Sequence, residues 1–213
     1  MALSRPVVGV LAVQGAVYEH AMALGAVGAD VREVRAPREL DHLDGLIIPG
    51  GESTTFGLVA ERSGLLAALR DMVAEQRMPV LGTCAGMIML ARETTAGAQP
   101  LIGGIDIVVR RNAFGRQVAS FEAAVEMPVL GPELVPGVFI RAPWIEWAAP
   151  HVEVLATHAE HGVAARQGDL VATAFHPELT EDRRLHAWFV DLVRARREGS
   201  DRRSEGGVGV RAQ

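Results

Sequence analysis

The chain contains no lysine; all 21 of its basic residues are arginine. Folding does not require this, so it reads as a compositional bias. Cysteine is equally scarce. Cys84 is the only one, which excludes an intramolecular disulfide and suits a reducing compartment, so a cytoplasmic protein is expected. Long hydrophobic runs are missing too. The apolar stretch Val7 to Val13 is too short to span a bilayer, and no longer apolar core with a cleavage site marks a secretory signal. Positive charge is not in excess: the formal net charge of -5 gives no general attraction to nucleic acid or an anionic membrane, and neither partner is expected. With one cysteine and seven histidines lacking ligand spacing, no metal site is expected.

What is present suffices for one sizeable α/β domain: 213 residues, 49% of them hydrophobic. Short apolar runs at Val7 to Val13, Gly45 to Pro49 and Pro79 to Leu81 have the character of strands buried on both faces. Between them, His20 to Ala29 and Gly64 to Gln76 carry apolar residues at helical spacing. This alternation predicts an α/β fold with a mostly parallel central sheet flanked by helices. Further strands are expected at Ile105 to Val109, Gln117 to Val125, Val138 to Ile145 and Val152 to Ala156. A hairpin is expected around Gln167-Gly168-Asp169. A last helix, capped by Thr180, ends in Arg194, Arg196 and Arg197. The domain is thus assigned to residues 1–197, and the Gly/Ser/charge-rich residues 198–213 are expected to form a disordered tail.

The strongest chemical signal is Val80-Leu81-Gly82-Thr83-Cys84-Ala85-Gly86-Met87, where an apolar strand runs into Gly-x-Cys-x-Gly and a helical pattern, MIMLARE, follows. A nucleophile on a sharp strand-to-helix turn needs small neighbours, which Gly82 and Gly86 supply. The turn aims the sulfur along the next helix's N-terminus, where the dipole favours an anion, and Ala85 N–H is placed to bind an oxyanion. Free cysteine is most often a small buried hydrophobe, but here the only thiol sits in the one context that activates thiols. A base and an orienting group are then needed. Of the seven histidines, His176 ends the apolar stretch Ala174-Phe175 and has a carboxylate, Glu178, two residues on; alternation would put the two on one face. The third element is Ile47-Ile48-Pro49-Gly50-Gly51-Glu52-Ser53, a buried strand ending in Gly-Gly, where Gly51 N–H is a candidate second oxyanion donor.

Together these pieces resemble the class I, triad-type glutamine amidotransferases, a flavodoxin-like three-layer fold with a nucleophile elbow. More narrowly they resemble the glutaminase subunits of pyridoxal 5′-phosphate synthases. The narrower resemblance rests on GVLAVQG from Gly9, PGGESTT from Pro49, RNAFGRQ from Arg111, FIRAP from Phe139 and FHPE from Phe175. It spans about residues 7 to 196. It implies hydrolysis of L-glutamine through a γ-glutamyl thioester on Cys84, with His176 as base and Glu178 orienting it. No cofactor is implied for that step. It also implies substrate contacts by Gly51, Glu52, Ser53, Arg111, Ile140 and Arg141, and delivery of ammonia to a separate (β/α)8-barrel synthase subunit. Gln14, Glu19 and His20, just after the first strand, are expected at that partner's interface. Three rivals share parts of the pattern: the same chemistry serving another synthase, a small cysteine peptidase, and a non-enzymatic module with a vestigial site. GGESTT and RNAFGRQ oppose the first, the His-x-Glu spacing the second, and the completeness of the triad the third.

Overall fold

The structure, a computed structural model, describes residues 4–95, 97–115 and 120–206. The chain runs β1 (Val7–Leu11), α1 (Val17–Ala26), β2 (Asp30–Val34), β3 (Gly45–Ile48), α2 (Ser53–Arg62), α3 (Leu65–Ala74), β4 (Val80–Thr83) and α4 (Ala85–Leu90). There follow β5 (Ala91–Thr94), β6 (Ile105–Arg110), β7 (Ser120–Val125), β8 (Val135–Ile140), β9 (Trp144–Ala148), β10 (Glu153–His158), β11 (His161–Gln167), β12 (Leu170–Thr173) and α5 (Arg184–Gly206). The main sheet has the order β2-β1-β3-β4-β12-β11-β9-β6-β5, with β10 paired to β11. From β2 to β12 every neighbouring pair is parallel, whereas β12, β11, β9 and β6 pair antiparallel in turn.

Burial explains the division. Every residue of β3, β4 and β12 is buried, as strands covered by helices on both faces must be. Around them Leu46, Ile47, Ile48, Leu81, Leu65, Leu69, Phe175 and Phe189 form the fully buried core. The parallel strands' C-terminal ends converge on one edge, the usual place for a ligand crevice in an open α/β sheet. Cys84 follows β4, Gly50 follows β3 and His176 follows β12.

Four expectations are corrected. The stretch Val138 to Ile145 is not one strand: β8 ends at Ile140 and β9 begins at Trp144, because Arg141 takes a positive φ of 44° and Pro143 has no N–H to continue a ladder. β8 instead pairs with β7 in a separate two-stranded sheet. The helical pattern MIMLARE yields only the six-residue α4, after which Ala91 turns extended and pairs alongside β6. Thr180 does not open the last helix: a 3-10 turn (Pro177–Leu179) comes first, Asp182 accepts a hydrogen bond from Arg184 N–H at 2.9 Å, and α5 starts at Arg184. Finally, α5 runs on to Gly206, through nine residues expected to be tail; no proline interrupts them, so the backbone ladder continues. Arg116 and Gln117, which end the RNAFGRQ motif, lie outside the described residues, as do Val118, Ala119 and residues 207–213.

Candidate active site

Cys84 sits between β4 and α4 with φ 49° and ψ −101°, a conformation costly for a residue with a side chain. Its N–H donates to Thr173 O of β12 at 2.7 Å, which helps to hold the turn. The small neighbours are a steric requirement. A Cβ on Gly86 would lie 2.1 Å from Ile48 O, and one on Gly82 would lie 2.5 Å from the Gly86 backbone. Ala85 opens α4, so its N–H has no acceptor within the helix and remains available to a ligand.

His176 and Glu178 meet as expected, but not by strand alternation. β12 ends at Thr173; His176 caps the 3-10 turn Pro177–Leu179, Glu178 lies within it, and Pro177 supplies the fixed φ. Within that turn Nδ1 of His176 lies 2.8 Å from Oε1 of Glu178. His176 is also anchored by its own N–H, which donates to Val138 O of β8 at 2.8 Å. Burial acts to lower the His176 pKa, but hydrogen bonds with Cys84 and Glu178 outweigh it and raise the value to about 10. Burial likewise works to raise the Glu178 pKa, and the hydrogen bond with His176 draws it below the ordinary carboxylate value. At neutral pH the carboxylate is therefore ionised, and the imidazole is suited to take the proton of Cys84 and hand it to a departing amine.

A pocket of about 310 Å³ opens over the sulfur, lined among others by Gly50, Gly51, Glu52, Ser53, Cys84, Ile88, Arg111, Ile140, Arg141, His176 and Leu179. The structure thus brings all the expected substrate contacts to one cavity. Ala113 N–H donates to Ala142 O at 3.0 Å and ties the loop of Arg111 to the loop of Arg141. Their roles diverge, however. Glu52 caps α2, accepting from Thr54 N–H at 3.0 Å and Thr55 N–H at 2.7 Å, and it also pairs with Arg111 at 2.9 Å. Burial acts to raise its pKa, but the bonds from Thr55 and Thr54 lower it to about 2. Arg111 is further held by Thr54 Oγ1 at 3.0 Å and Gln99 Oε1 at 2.9 Å. Glu52 and Arg111 are thus engaged with each other. Among the described residues Arg141 has no carboxylate partner. Gln99 was not singled out from the sequence; a glutamine in a loop carries no local signal.

Of the three expected interface residues, Gln14 and Glu19 are partly exposed, and the Gln14 amide donates to Glu52 O. His20 is corrected: it is fully buried on the inner face of α1 with Ala23 and Leu24, and cannot touch a partner. A helix presents residues three and four apart to the same side, so His20 turns inward with that pair.

A thiol on a strained elbow, an imidazole held by a buried carboxylate and a polar-rimmed pocket at the edge of a parallel sheet define a triad-type amidotransferase. Residues 10–195 match the model of the SNO glutamine amidotransferase family, and the chain belongs to that family. It is 56% identical over 197 residues to "Pyridoxal 5′-phosphate synthase subunit PdxT" of Streptomyces avermitilis, covering 92% of this chain and 98% of that protein. The PdxT subunit of Salinispora tropica is 54% identical over 200 residues, covering 91% and 99%. A crystal structure of a glutamine amidotransferase superposes with a TM-score of 0.83 at 48% identity, covering 87% of this chain and 98% of that one. A glutamine amidotransferase from Thermotoga maritima shares the fold at 14% identity, with a TM-score of 0.59 over 95% and 86% of the two chains.

Proposed function

We infer that this chain is the glutaminase subunit of a pyridoxal 5′-phosphate synthase. It hydrolyses L-glutamine to L-glutamate and ammonia and passes the ammonia to a synthase subunit. The observation that carries the reading is the triad at one sheet edge: Cys84 and His176 line one pocket, and Glu178, behind it, lies 2.8 Å from Nδ1 of His176. Cys84 passes its proton to His176 as its sulfur attacks the side-chain amide carbon, and the C–N bond breaks as His176 delivers that proton to the leaving ammonia. The same imidazole then activates water to release glutamate from the thioester. Ala85 N–H and Gly51 N–H receive the oxyanion. Arg141, without a carboxylate partner among the described residues, takes the substrate's α-carboxylate, while the Glu52–Arg111 pair shapes the wall beside Ser53.

The partner surface lies at the pocket mouth. Tyr18 and Met22 project one turn apart from α1 and are 71% and 55% exposed; Gln14, three residues before that helix, packs its amide against Gly51. Docking on this face therefore acts directly on the Gly50–Gly51 turn and the oxyanion site. The single reduced thiol suits the cytoplasm. Among the described residues no helix is long and apolar enough to cross a membrane.

The test is glutamate release from L-glutamine by the purified chain, alone and with the barrel synthase subunit, for wild type and Cys84→Ala. Release stimulated by the barrel and abolished in Cys84→Ala is expected. Cys84-dependent release indifferent to the barrel would remove the partner assignment, and no release from folded protein under either condition would remove the enzyme reading.

A further inference from the structure

Two histidines with no part in the chemistry above lie directly behind the triad. His20 of α1 and His186 of α5 are 166 residues apart in sequence, fully buried, and absent from the pocket lining. His20 Nδ1 is 3.0 Å from His186 Nε2, and His20 Nε2 is 3.1 Å from the hydroxyl of Thr83, the residue before the nucleophile. That same Nε2 faces Oε2 of Glu178 at 3.3 Å, both side chains being wholly shielded from solvent. Oε1 of Glu178 is committed to His176, whereas Oε2 has no aligned hydrogen bond among the described residues. His20 thus stands where the second carboxylate oxygen needs a donor.

The proton positions follow from which arrangement leaves the least unpaired. Burial lowers the pKa of both histidines, so each is neutral and carries one ring proton. Were that proton on His20 Nδ1, its Nε2 lone pair would point at a carboxylate, and His186 would have to bear its own proton on Nδ1, a buried atom with no acceptor. With the proton on His20 Nε2 instead, it reaches Thr83 Oγ1 and turns a positive dipole, not a lone pair, toward Glu178 Oε2 at 3.3 Å. His186 Nε2–H then donates to His20 Nδ1, no buried donor is left unpaired, and the two atoms without an aligned partner, Glu178 Oε2 and His186 Nδ1, are both acceptors. That tautomer is the favoured one.

We propose that His20 is a positioning residue of the triad: its Nε2–H holds Oε2 of Glu178, and His186 fixes its tautomer. The consequence is that Glu178 can present only Oε1 to His176, so the imidazole keeps the orientation that serves Cys84. The inference rests on the glutaminase reading and reaches two residues beyond it.

The experiment compares His20→Gln, His20→Asn and His20→Leu in the complex with the barrel subunit, reading kcat and KM for glutamine and the melting temperature. A glutamine amide reproduces an N–H near the Nε2 position; an asparagine amide reproduces one near Nδ1. The expected pattern is kcat reduced about tenfold or more in the Leu and Asn variants with KM little changed, and largely recovered in Gln. In a Glu178→Gln background, His20→Leu should add almost no further loss, since it acts through that carboxylate. Wild-type kcat in a folded Leu variant, better recovery by Asn than by Gln, or a full additive loss on Glu178→Gln would each overturn the proposal. A wild-type complex that releases no glutamate would count against the glutaminase reading instead. The rate of Cys84 alkylation by iodoacetamide then carries the same contrast among the variants, with a Leu variant alkylated at the wild-type rate overturning the proposal.

Discussion

Gly50 offers a perturbation that separates catalysis from folding. A Cβ added there would lie 2.4 Å from Cε1 and 3.1 Å from Nδ1 of His176, and 3.4 Å from the Cβ of Cys84. Its backbone is not in the left-handed region, so alanine meets no intrinsic conformational barrier. Ordinary contact begins near 3.4 Å, so the imidazole must retreat by about 1 Å. His176 is held in place by Glu178 and by Val138 O, and a retreat of that size pulls it off the line to Cys84. A displacement of about 1 Å in a reacting group costs on the order of a hundredfold in rate. Overpacking costs stability of about 1–3 kcal/mol, which leaves a domain of ordinary stability folded. The control is Gly25→Ala, because Gly25 lies in α1 with nothing within 4 Å of an added Cβ. That substitution is expected to stabilise by about 0.5–1 kcal/mol and leave glutaminase activity unchanged. Barrel-stimulated glutamate release and thermal melting, measured together on both variants, check the reasoning. A folded Gly50→Ala protein within about threefold of wild-type kcat would refute it, since the imidazole would then tolerate a shift that the triad geometry forbids.

Three further outcomes follow from the same structure. Cys84→Ala should lower the His176 pKa from about 10 toward its ordinary 6.5, because Cys84 leads the effects that raise it; an NMR titration of the imidazole would read the change, and an unmoved value would break the assigned coupling. The sign for stability is that a raised histidine pKa stabilises fully below 6.5 and loses that contribution as pH rises through about 10, so the variant should show a flatter alkaline limb. His186, lowered chiefly by burial to about 3, contributes stability above 6.5 that is lost as pH falls toward 3. His186→Gln should therefore flatten acid unfolding in that window by up to about 1.4 kcal/mol per pH unit, as read from urea midpoints. Glu52→Ala removes the α2 cap at a cost of about 1 kcal/mol and frees Arg111, so a lowered melting temperature should accompany a raised KM for glutamine; an unchanged KM would detach the Glu52–Arg111 pair from substrate binding.

Local chemistry made much of the site legible in the sequence. The elbow at Gly82-Thr83-Cys84-Ala85-Gly86 could be read because only glycines fit where a backbone carbonyl approaches within 2.1 Å of a would-be Cβ. His176 and Glu178 could be paired because they are two residues apart, although a proline-led turn and not a strand brings them together. The buried strands were visible because a strand covered on both faces must be apolar throughout. What depended on distant packing was not visible. Nothing local reveals that Arg111 is held by Glu52, 59 positions earlier, or that Arg141 has no such partner among the described residues. The end of α5 was misplaced because tail-like composition does not by itself stop a backbone ladder. His20 was assigned to the surface from its place after β1, yet the side of α1 that turns inward is chosen by what packs against it. Only the fold, by laying α1 and α5 side by side, brings His20 to His186 and both to the back of Glu178. The sequence by itself determined the reacting groups, because their chemistry is written in residue type and short spacing. The tertiary structure decided which charges are paired, which histidines are buried and which oxygen faces which ring, because those depend on contacts between segments far apart along the chain.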